Sequence, residues 1–589
     1  MQTLIPLTVA VPLLAAAVIT ATGRLLPPLL VDALATLVAA GTAALTAILL
    51  VHAWGGSVVY WFGGWRPRDG LAVGIAFVVD PMGAGLACFA ALIVTGALVF
   101  SWHYFDEVSP LYHALVLVFL AAMVGFSLTG DLFNLFVFFE LMGVVAYALT
   151  AHAHTELAPL QGGFVFAITN SIAGFLVLIG IAVLYGHTGT LNLAQLGRTL
   201  AAERPSGLLV LSFALLAAGF LIKAAAVPFH FWLADAYAVA PTPVCALFSA
   251  VMSDLGLYAL ARVYWTVFSG PFGSRATAVH GVLIGIACLT MVLGGVMAFL
   301  QRHLKRLLAF ATISRGGLFL AGIALLTPHG LGGASTAVVT EGFVKAALFL
   351  GMGVLVQTCR SGDELRLRGQ GRTLPLVGAT FVAGALVLGG LLPSVSFAHG
   401  WLVVVVIASS ALVVAGLLRA TARVFLGLGG DEDPLLSPEE DRPVRDEPRQ
   451  LGRRASLAMV GSMLALLAAG LAVGIAPHVR ERADQSAARF QDRGAYERLV
   501  LEGVARPVAA PAEPSTFTWA HVLEGGATVG GGAALAAAAL RRRRPWAGAL
   551  RGLLEPLRAL HSGHIGDYVA WLVAGTAALA VLLAVTTNT

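Results

Sequence analysis

The sequence predicts an all-α polytopic membrane protein with about sixteen transmembrane helices. Of its 589 residues, 58% are hydrophobic and only 11% are charged, whereas a soluble domain carries about 25% charged residues. The mean hydropathy is +0.87. A soluble core cannot bury this much apolar surface, so we expect the chain to cross a lipid bilayer many times.

Apolar runs of about twenty residues, the length that spans a bilayer as a helix, recur along the whole chain. They lie near 4–22, 30–53, 79–101, 110–129, 131–150, 163–185, 208–226, 243–267, 277–299, 304–326, 334–356, 375–392, 400–426, 455–476, 522–540 and 566–586. The first run has no basic region or small-residue cleavage pattern, so we expect a retained span and not a cleaved signal.

Composition and motifs argue against several other classes of protein. Cys88, Cys245, Cys288 and Cys359 are isolated, so neither a disulfide framework nor a metal site is predicted. The formal net charge of +5 comes without basic stretches interleaved with aromatic residues, so nucleic-acid binding is not expected. The sequence has no dinucleotide fingerprint, P-loop, haem motif or cluster motif. We therefore expect no cofactor and no catalytic site of its own, and any redox chemistry would belong to partner subunits.

Basic residues cluster in loops that fall on one side of the predicted membrane. These loops include 301–306, 360–372, 451–454 and 541–544. The positive-inside rule makes that side cytoplasmic and places both termini outside. The arginines of 477–510 lie on the predicted outer side and argue the other way, although the acids in that segment and its length weaken the argument.

Two apolar runs are interrupted by helix-breaking residues. Pro228 interrupts one run, and Gly389, Gly390 and Pro393 interrupt another about 165 residues further on. Irregular backbone at membrane depth persists only where it lines a buried polar cavity. The two breaks therefore predict two structural repeats, each with its own polar centre. The alternative is a pair of ordinary proline kinks.

Polar segments complete the predicted organisation. The segment 427–450 is polar and Pro-rich, and 544–562 has leucines on one side and arginines on the other, which predicts an interfacial amphipathic helix. The expected divisions are N-terminal helices 1–109, a first repeat 110–268, a second repeat 269–426, a polar cytoplasmic loop 427–454, and C-terminal helices with the amphipathic segment 455–589.

Glu140 is a single carboxylate within the apolar stretch "NLFVFFELMGVVAYAL". An ionised carboxylate in a bilayer costs roughly 2.5 kcal/mol or more, so Glu140 needs a partner or a proton.

Only three residues of the chain are lysines. Lys305 lies in a basic cluster and is expected to be an interfacial anchor, whereas Lys223 and Lys345 lie inside apolar helices. Lysine, unlike arginine, can lose its proton when it is desolvated. Lys223 is the natural partner for Glu140, and a snorkelling lysine is the alternative interpretation.

Several stretches resemble a known family. They are "NLFVFFELMGVVAYAL", "FLIKAAAVPFHFWLADAYAVAPTPVCALFSAVMSDLGLYALAR", "RHLKRLLAFATISRGG", "VKAALFLGMG" and "LHSGHIGDYVAWL". They look like the antiporter-like subunits of respiratory complex I, group 4 membrane-bound hydrogenases and Mrp-type cation/proton antiporters. The resemblance, strongest over roughly 75–425, implies fourteen core helices with two inverted five-helix repeats, each containing a broken helix. It also implies a row of buried polar residues, in which Glu140 and Lys223 match the family's glutamate–lysine pair.

The sequence departs from the family pattern in its second half. Asp254, in "VMSDLGLY", stands where the family usually has lysine or histidine, and Glu341 stands at a histidine position one turn before the retained Lys345. Gly400 takes the place of a lysine, with His399 beside it. These changes imply that Asp254 and Glu341 are alternative proton carriers or oxygen ligands for sodium. A third interpretation is that this half has lost conduction.

The sequence therefore predicts a proton-translocating, antiporter-like subunit of a multisubunit complex related to complex I or membrane-bound hydrogenase. The expected relay consists of Glu140, Lys223, His230, Asp254, Glu341, Lys345 and His399. His230 is included because imidazole titrates near neutral pH, with a hydrogen-bonded structural histidine as the alternative. Expected partners are other membrane subunits, soluble redox subunits, protons or Na⁺, and the lipid of the plasma membrane. The alternatives are a subunit of an Mrp-type Na⁺/H⁺ antiporter and a structural scaffold with a decayed channel.

Overall fold

A computed structural model describes most of the chain. The described residues are 2–68, 70–105, 109–153, 155–392, 397–430, 456–504, 519–541, 552, 560 and 563–588. The polar loop predicted at 427–454 and the amphipathic helix predicted at 544–562 lie largely outside these residues.

The described residues are overwhelmingly helical. The helices of the N-terminal half are α1 (Leu4–Thr22), α2 (Pro28–Gly55), α3 (Pro81–Ser101), α4 (Pro110–Leu128), α5 (Leu132–Thr150), α6 (Leu157–Thr188), α7 (Leu193–Leu200), α8 (Gly207–Lys223), α9 (Phe231–Val239) and α10 (Thr242–Phe268). Those of the C-terminal half are α11 (Ala276–Leu300), α12 (Leu304–Ala324), α13 (Pro328–Cys359), α14 (Pro375–Leu388), α15 (Trp401–Leu426), α16 (Leu457–Ile475), α17 (Pro477–Gln491), α18 (Arg493–Glu497), α19 (Trp519–Leu540) and α20 (Ile565–Asn588). Strands β1 (Val58–Trp61) and β2 (Ala76–Val79) form an antiparallel hairpin with Val58 opposite Val79.

The number of membrane-spanning helices agrees with the sequence prediction. In the described part of the chain, fourteen helices are long and apolar enough to cross a bilayer. Two shorter apolar helices, α8 and α14, bring the set to the sixteen runs that the sequence predicts. These two are short because each ends at one of the predicted helix breaks. The fold class is therefore the predicted all-α polytopic membrane protein.

The first break separates α8 from α9 and keeps its backbone hydrogen-bonded. The Val227–Pro228 peptide is cis, and Ala225 has a φ of 52°. Val227 N donates to Thr290 Oγ1 at 3.0 Å, and the Trp232 indole N–H donates to Ile222 O at 3.0 Å. These bonds satisfy groups that a continuous helix would have paired, as irregular backbone inside a membrane requires.

The second break follows α14, whose last residue is Leu388. Gly390 takes a φ of 77°, in the left-handed region that favours glycine. Helix α19 approaches the break so closely that a Cβ on Gly525 would lie 2.5 Å from Gly390 O. Pro393 lies outside the described residues. The chain becomes helical again at Trp401, the first residue of α15.

The loops at the two ends of the bundle form separate layers. At one end, Arg302 Nε lies 2.5 Å from Asp363 Oδ2, and Leu304 N donates to Gly362 O at 2.9 Å. The segments 301–306 and 360–372 therefore share an end, as the charge pattern predicts. At the opposite end, α17 and α18 lie over the bundle together with the hairpin and α7.

Candidate functional site

Glu140 and Lys223 face each other across α5 and α8 without forming a direct ion pair within the described residues. The Lys223 side chain is fully buried, and its Nζ lies 4.5 Å from the centre of the Phe139 ring. Neither Nζ nor Glu140 Oε1 has a hydrogen-bond partner in the described structure. The sequence predicts that Glu140 and Lys223 are partners. In the structure the two side chains interact electrostatically but are not joined by a hydrogen bond.

Glycines make the space that these two side chains occupy. A Cβ on Gly174 of α6 would lie 1.7 Å from Glu140 Oε1, and one on Gly143 of α5 would lie 3.4 Å from Lys223 Nζ. The Glu140 carboxylate therefore lies against α6, while the Lys223 amine lies over α5. A buried ammonium without a hydrogen-bond partner costs free energy. A lysine, unlike an arginine, can relieve that cost by giving up its proton.

Asp254 and Lys345 form the next charged group. Lys345 Nζ donates to Asp254 Oδ2 at 3.2 Å, and both side chains are almost fully buried. Asp254 lies two residues after the end of a π-helical turn in α10, a feature that is frequent at functional sites. The next glycine of α10, Gly256, packs so closely on α8 that a Cβ there would lie 3.2 Å from Lys223 Cβ. Helix α10 therefore contacts α8 at the turn that carries Lys223, two residues along the chain from Asp254.

Glu341 is held by an arginine that the sequence analysis did not select. The Arg315 guanidinium of α12 binds both carboxylate oxygens, with Nε donating to Oε2 at 2.7 Å and Nη2 bonded to Oε1. Its Nη1 donates to Ser410 Oγ of α15 at 2.7 Å. Glu341 and Lys345 are four residues apart on α13 and so share one face of that helix. The sequence feature that points to Arg315 is its position inside the apolar run 304–326, where a charged residue is unusual.

Six charged residues, the charged row, thus lie on five helices that pack against one another. They are the half-buried Glu140 and the buried Lys223, Asp254, Lys345, Glu341 and Arg315. All lie within helices that are long or apolar enough to span a membrane. The two acids that the sequence offered as sodium ligands both have cationic partners here, because Lys345 binds Asp254 and Arg315 binds Glu341. No group of side chains that could hold a metal ion occurs within the described residues.

The predicted histidines lie in different surroundings from this row. His230 is buried at the start of α9, with its ring centre 4.2 Å from that of Phe231. His399 is exposed, and its ring lies parallel to that of His329 at a centre distance of 6.2 Å. Lys305, expected to be an interfacial anchor, is instead buried, and its Nζ donates to Ala240 O at 3.2 Å. Lys305 is buried because the Ala240 carbonyl, just after α9, accepts a hydrogen bond from its amine. The linear sequence does not show that these two residues meet.

A cavity of about 330 Å³ reaches the row from the end covered by α17. Asp254 lies in its wall, together with Tyr258 and Ser335, and its far wall includes Arg482 and Ser486 of α17. The rest of the lining is mainly apolar. The cavity places Asp254 within reach of small molecules or water from the predicted outer side.

Two further ion-pair clusters are built from arginines and were not predicted. Arg262 binds Asp80 under α17 and α18, where its guanidinium lies 3.9 Å from the centre of the Phe490 ring. At the other end, Glu364 binds both Arg419 and Arg423. Arginine keeps its charge under physiological conditions, so these ion pairs fasten the segments that carry Asp80 and Glu364 to the bundle.

The fold and the charged row define an antiporter-like membrane subunit with one broken helix in each half. Residues 129–425 match the family model described as NADH:quinone oxidoreductase/Mrp antiporter, TM. The chain belongs to this family.

Relatives and solved structures agree with this assignment. The chain is 34% identical over 380 residues to the N subunit of NADH-quinone oxidoreductase from Desulforudis audaxviator, a match covering 63% of this chain and 71% of the relative. It is 28% identical over 380 residues to the D subunit of the Na(+)/H(+) antiporter from Bacillus subtilis, covering 62% and 75%. A chain of the Mrp complex from Dietzia sp. DQ12-45-1b superposes with a TM-score of 0.73 at 27% identity, covering 85% of this chain and 99% of that one. A chain of an archaeal membrane-bound sulfane sulfur reductase shares the fold, with a TM-score of 0.72 at 22% identity over 85% of this chain and 100% of that one.

Proposed function

We propose that this chain is a proton-translocating subunit of a multisubunit complex in the plasma membrane, with other membrane subunits as its partners. One observation carries the proposal, namely the charged row, which extends from the half-buried Glu140 on α5 to the buried Glu341 on α13. Buried ionisable residues in membrane helices are costly, and they commonly mark ion or proton pathways. The relatives that are subunits of NADH-quinone oxidoreductase and of cation/proton antiporters support the same function.

The row can move protons by exchanging ion-pair partners. A proton that reaches Asp254 converts the carboxylate to a neutral acid and breaks its pair with Lys345. The Lys345 ammonium is then left near Glu341, one helical turn away, and can pass a proton along the row. Because each pair changes the charge that its neighbours experience, the groups titrate together and not independently. The 330 Å³ cavity beside Asp254 supplies one route by which protons enter or leave.

The arrangement favours protons over sodium as the ion carried by this row. Sodium would need several oxygen ligands free of competing cations. Lys345 and Arg315 occupy the binding directions of Asp254 and Glu341. A sodium-dependent function of these acids would require both pairs to open at once.

Substitution of Lys223 by alanine tests the proposal. We expect the intact complex, reconstituted in vesicles and energised by a potassium diffusion potential, to lose proton uptake with K223A while its subunits stay assembled. Proton uptake would be followed with a pH-sensitive dye trapped inside the vesicles. Uptake at the wild-type rate in a fully assembled K223A complex would contradict the proposal.

A further inference from the structure

A small cavity connects the Arg315–Glu341 pair to a helix outside the charged row. The cavity has a volume of about 30 Å³ and lies between the second helix break, α15 and α19. Arg315 and Ser410 form one part of its polar wall, and His521 and Glu524 of α19 form another. A volume of this size holds roughly one or two water molecules. Arg315, whose present partner is Glu341, thus lines the same cavity as a second acid, Glu524.

Glu524 is the only acid in the described lining of this cavity. Its side chain is half-buried, and it lies within electrostatic range of His521, one turn earlier on α19. Helix α19 is held firmly at this point, because Gly525 lies against the backbone of Gly390 with no room for a side chain. The position of Glu524 relative to Arg315 is thus fixed by the packing of two helices and not by a mobile loop.

A group of imidazoles continues from His521 to the surface. His521 is within electrostatic range of His329 and His399 as well as of Arg480. The rings of His329 and His399 are parallel, with 3° between their planes, and His399 is exposed. His329 also lies 3.4 Å from Asp484 of α17. Imidazoles titrate near neutral pH and transfer protons readily, so this group can pass protons between the cavity and water.

We propose that Arg315 alternates between Glu341 and Glu524, and that Glu524 delivers protons from the buried row to the histidines. This inference rests on the proposed function. When Glu341 binds a proton, its carboxylate loses the charge that holds Arg315, and the guanidinium turns to Glu524. Glu341 then passes its proton through the cavity to Glu524, regains its negative charge and takes Arg315 back. Glu524 gives that proton to His521, so both carboxylates return to their starting state and one proton has moved outward.

A conservative set of variants tests the role of Glu524 in transport. In the intact reconstituted complex we expect E524Q to slow proton uptake by about tenfold or more, because a proton-carrying group has been removed. E524D keeps an acid and should retain most of the transport. E481Q is the matched control, because Glu481 is an exposed acid of α17 that does not line the cavity. Wild-type uptake in E524Q, or equal losses in E524Q and E524D, would overturn the inference.

The sharing of one arginine by two acids has a separate signature in thermal stability. In E341Q, Arg315 still has Glu524 as a partner, and in E524Q it keeps Glu341. Only the double variant leaves the buried guanidinium without a carboxylate. We therefore expect the fall in melting temperature of the E341Q/E524Q complex to exceed the sum of the two single falls. Strictly additive losses would overturn the shared-partner arrangement.

The same preparation separates this inference from the proposed function. D254N removes an acid of the buried row and leaves the cavity beside Arg315 unchanged. Loss of transport in D254N together with normal transport in E524Q would overturn only the role of Glu524. Normal transport in D254N and K223A would overturn the proposed function and, with it, this inference.

Discussion

Replacing Lys345 by methionine would leave the almost fully buried Asp254 carboxylate without its partner. The side chains of Lys345 and Asp254 are 3% and 2% exposed and are joined by one hydrogen bond of 3.2 Å. Removing one member of a buried pair costs about 3–5 kcal/mol, because the remaining charge loses its counter-ion while it stays buried. Replacing both members by neutral groups of similar shape is often close to neutral. We therefore expect K345M to be much less stable than the double variant D254N/K345M.

The assay is the melting temperature of the purified complex in detergent, compared among the wild type, K345M, D254N and the double variant. The double variant should recover most of the stability that K345M loses. A double variant whose loss equals the sum of the single losses would show that the two side chains are not coupled. That result would refute the reasoning from the 3.2 Å contact.

Transport measured on the same four complexes separates stability from function. The double variant should be stable yet unable to move protons, because both exchanging groups have been removed. A stable double variant that transports protons at the wild-type rate would mean that the Asp254–Lys345 pair is structural. The relay would then have to bypass this part of α10 and α13.

Three further substitutions, one of them with a matched control, have distinct expected results. K223R keeps the positive charge, but an arginine does not release its proton readily. Proton uptake by the vesicles should therefore stop while the complex stays assembled. Continued uptake would show that residue 223 does not need to lose its proton. G174A should slow proton uptake, because its methyl group would displace the Glu140 carboxylate. G186A on the same helix is the control, because it has open space around it and should have no effect. Equal rates in the two variants would contradict the placement of the Glu140 carboxylate against Gly174. Burial raises the pKa of Asp131 from 3.8 to about 6. The protonated Asp131 therefore contributes its full stabilisation below pH 3.8, and this stabilisation is lost as the pH rises through about 6. D131N keeps a helix-capping side chain and should flatten the pH dependence of the melting temperature between about pH 4 and pH 6. An unchanged pH profile would contradict this.

The sequence predicted the helices well because a bilayer imposes a simple rule on them. Hydrophobic length alone locates a span, and it located α8 and α14 even though both are short. The Pro228 break was visible because proline cannot continue a helix. The way the break is stabilised was not predictable, because the acceptor for Val227 N is Thr290 on a different helix, 63 residues away.

The members of the charged row were predictable singly, but their pairing was not. Glu140, Lys223 and Lys345 stand out because charge is rare in apolar runs. Which acid meets which base depends on how the helices pack, and the expected contact between Glu140 and Lys223 is replaced by contacts with glycine and phenylalanine. Arg315 was not predicted because arginine is abundant in this chain, so one more arginine carried little signal even within an apolar run.

The distribution of lysine and arginine gives an independent reason to assign proton exchange to this row. All three lysines of the chain are buried, with exposures of 0% for Lys223, 1% for Lys305 and 2% for Lys345. Ordinary anchoring and loop charges are supplied by arginine, as in the Glu364 cluster. If a fixed positive charge were enough at the buried positions, arginine would serve there too, as it does at Arg315. A lysine can alternate between charged and neutral forms inside a protein, whereas an arginine cannot. Lys223 and Lys345 therefore support the proposal that the charged row needs groups that take up and release protons, whereas Arg315 supplies a charge that does not change.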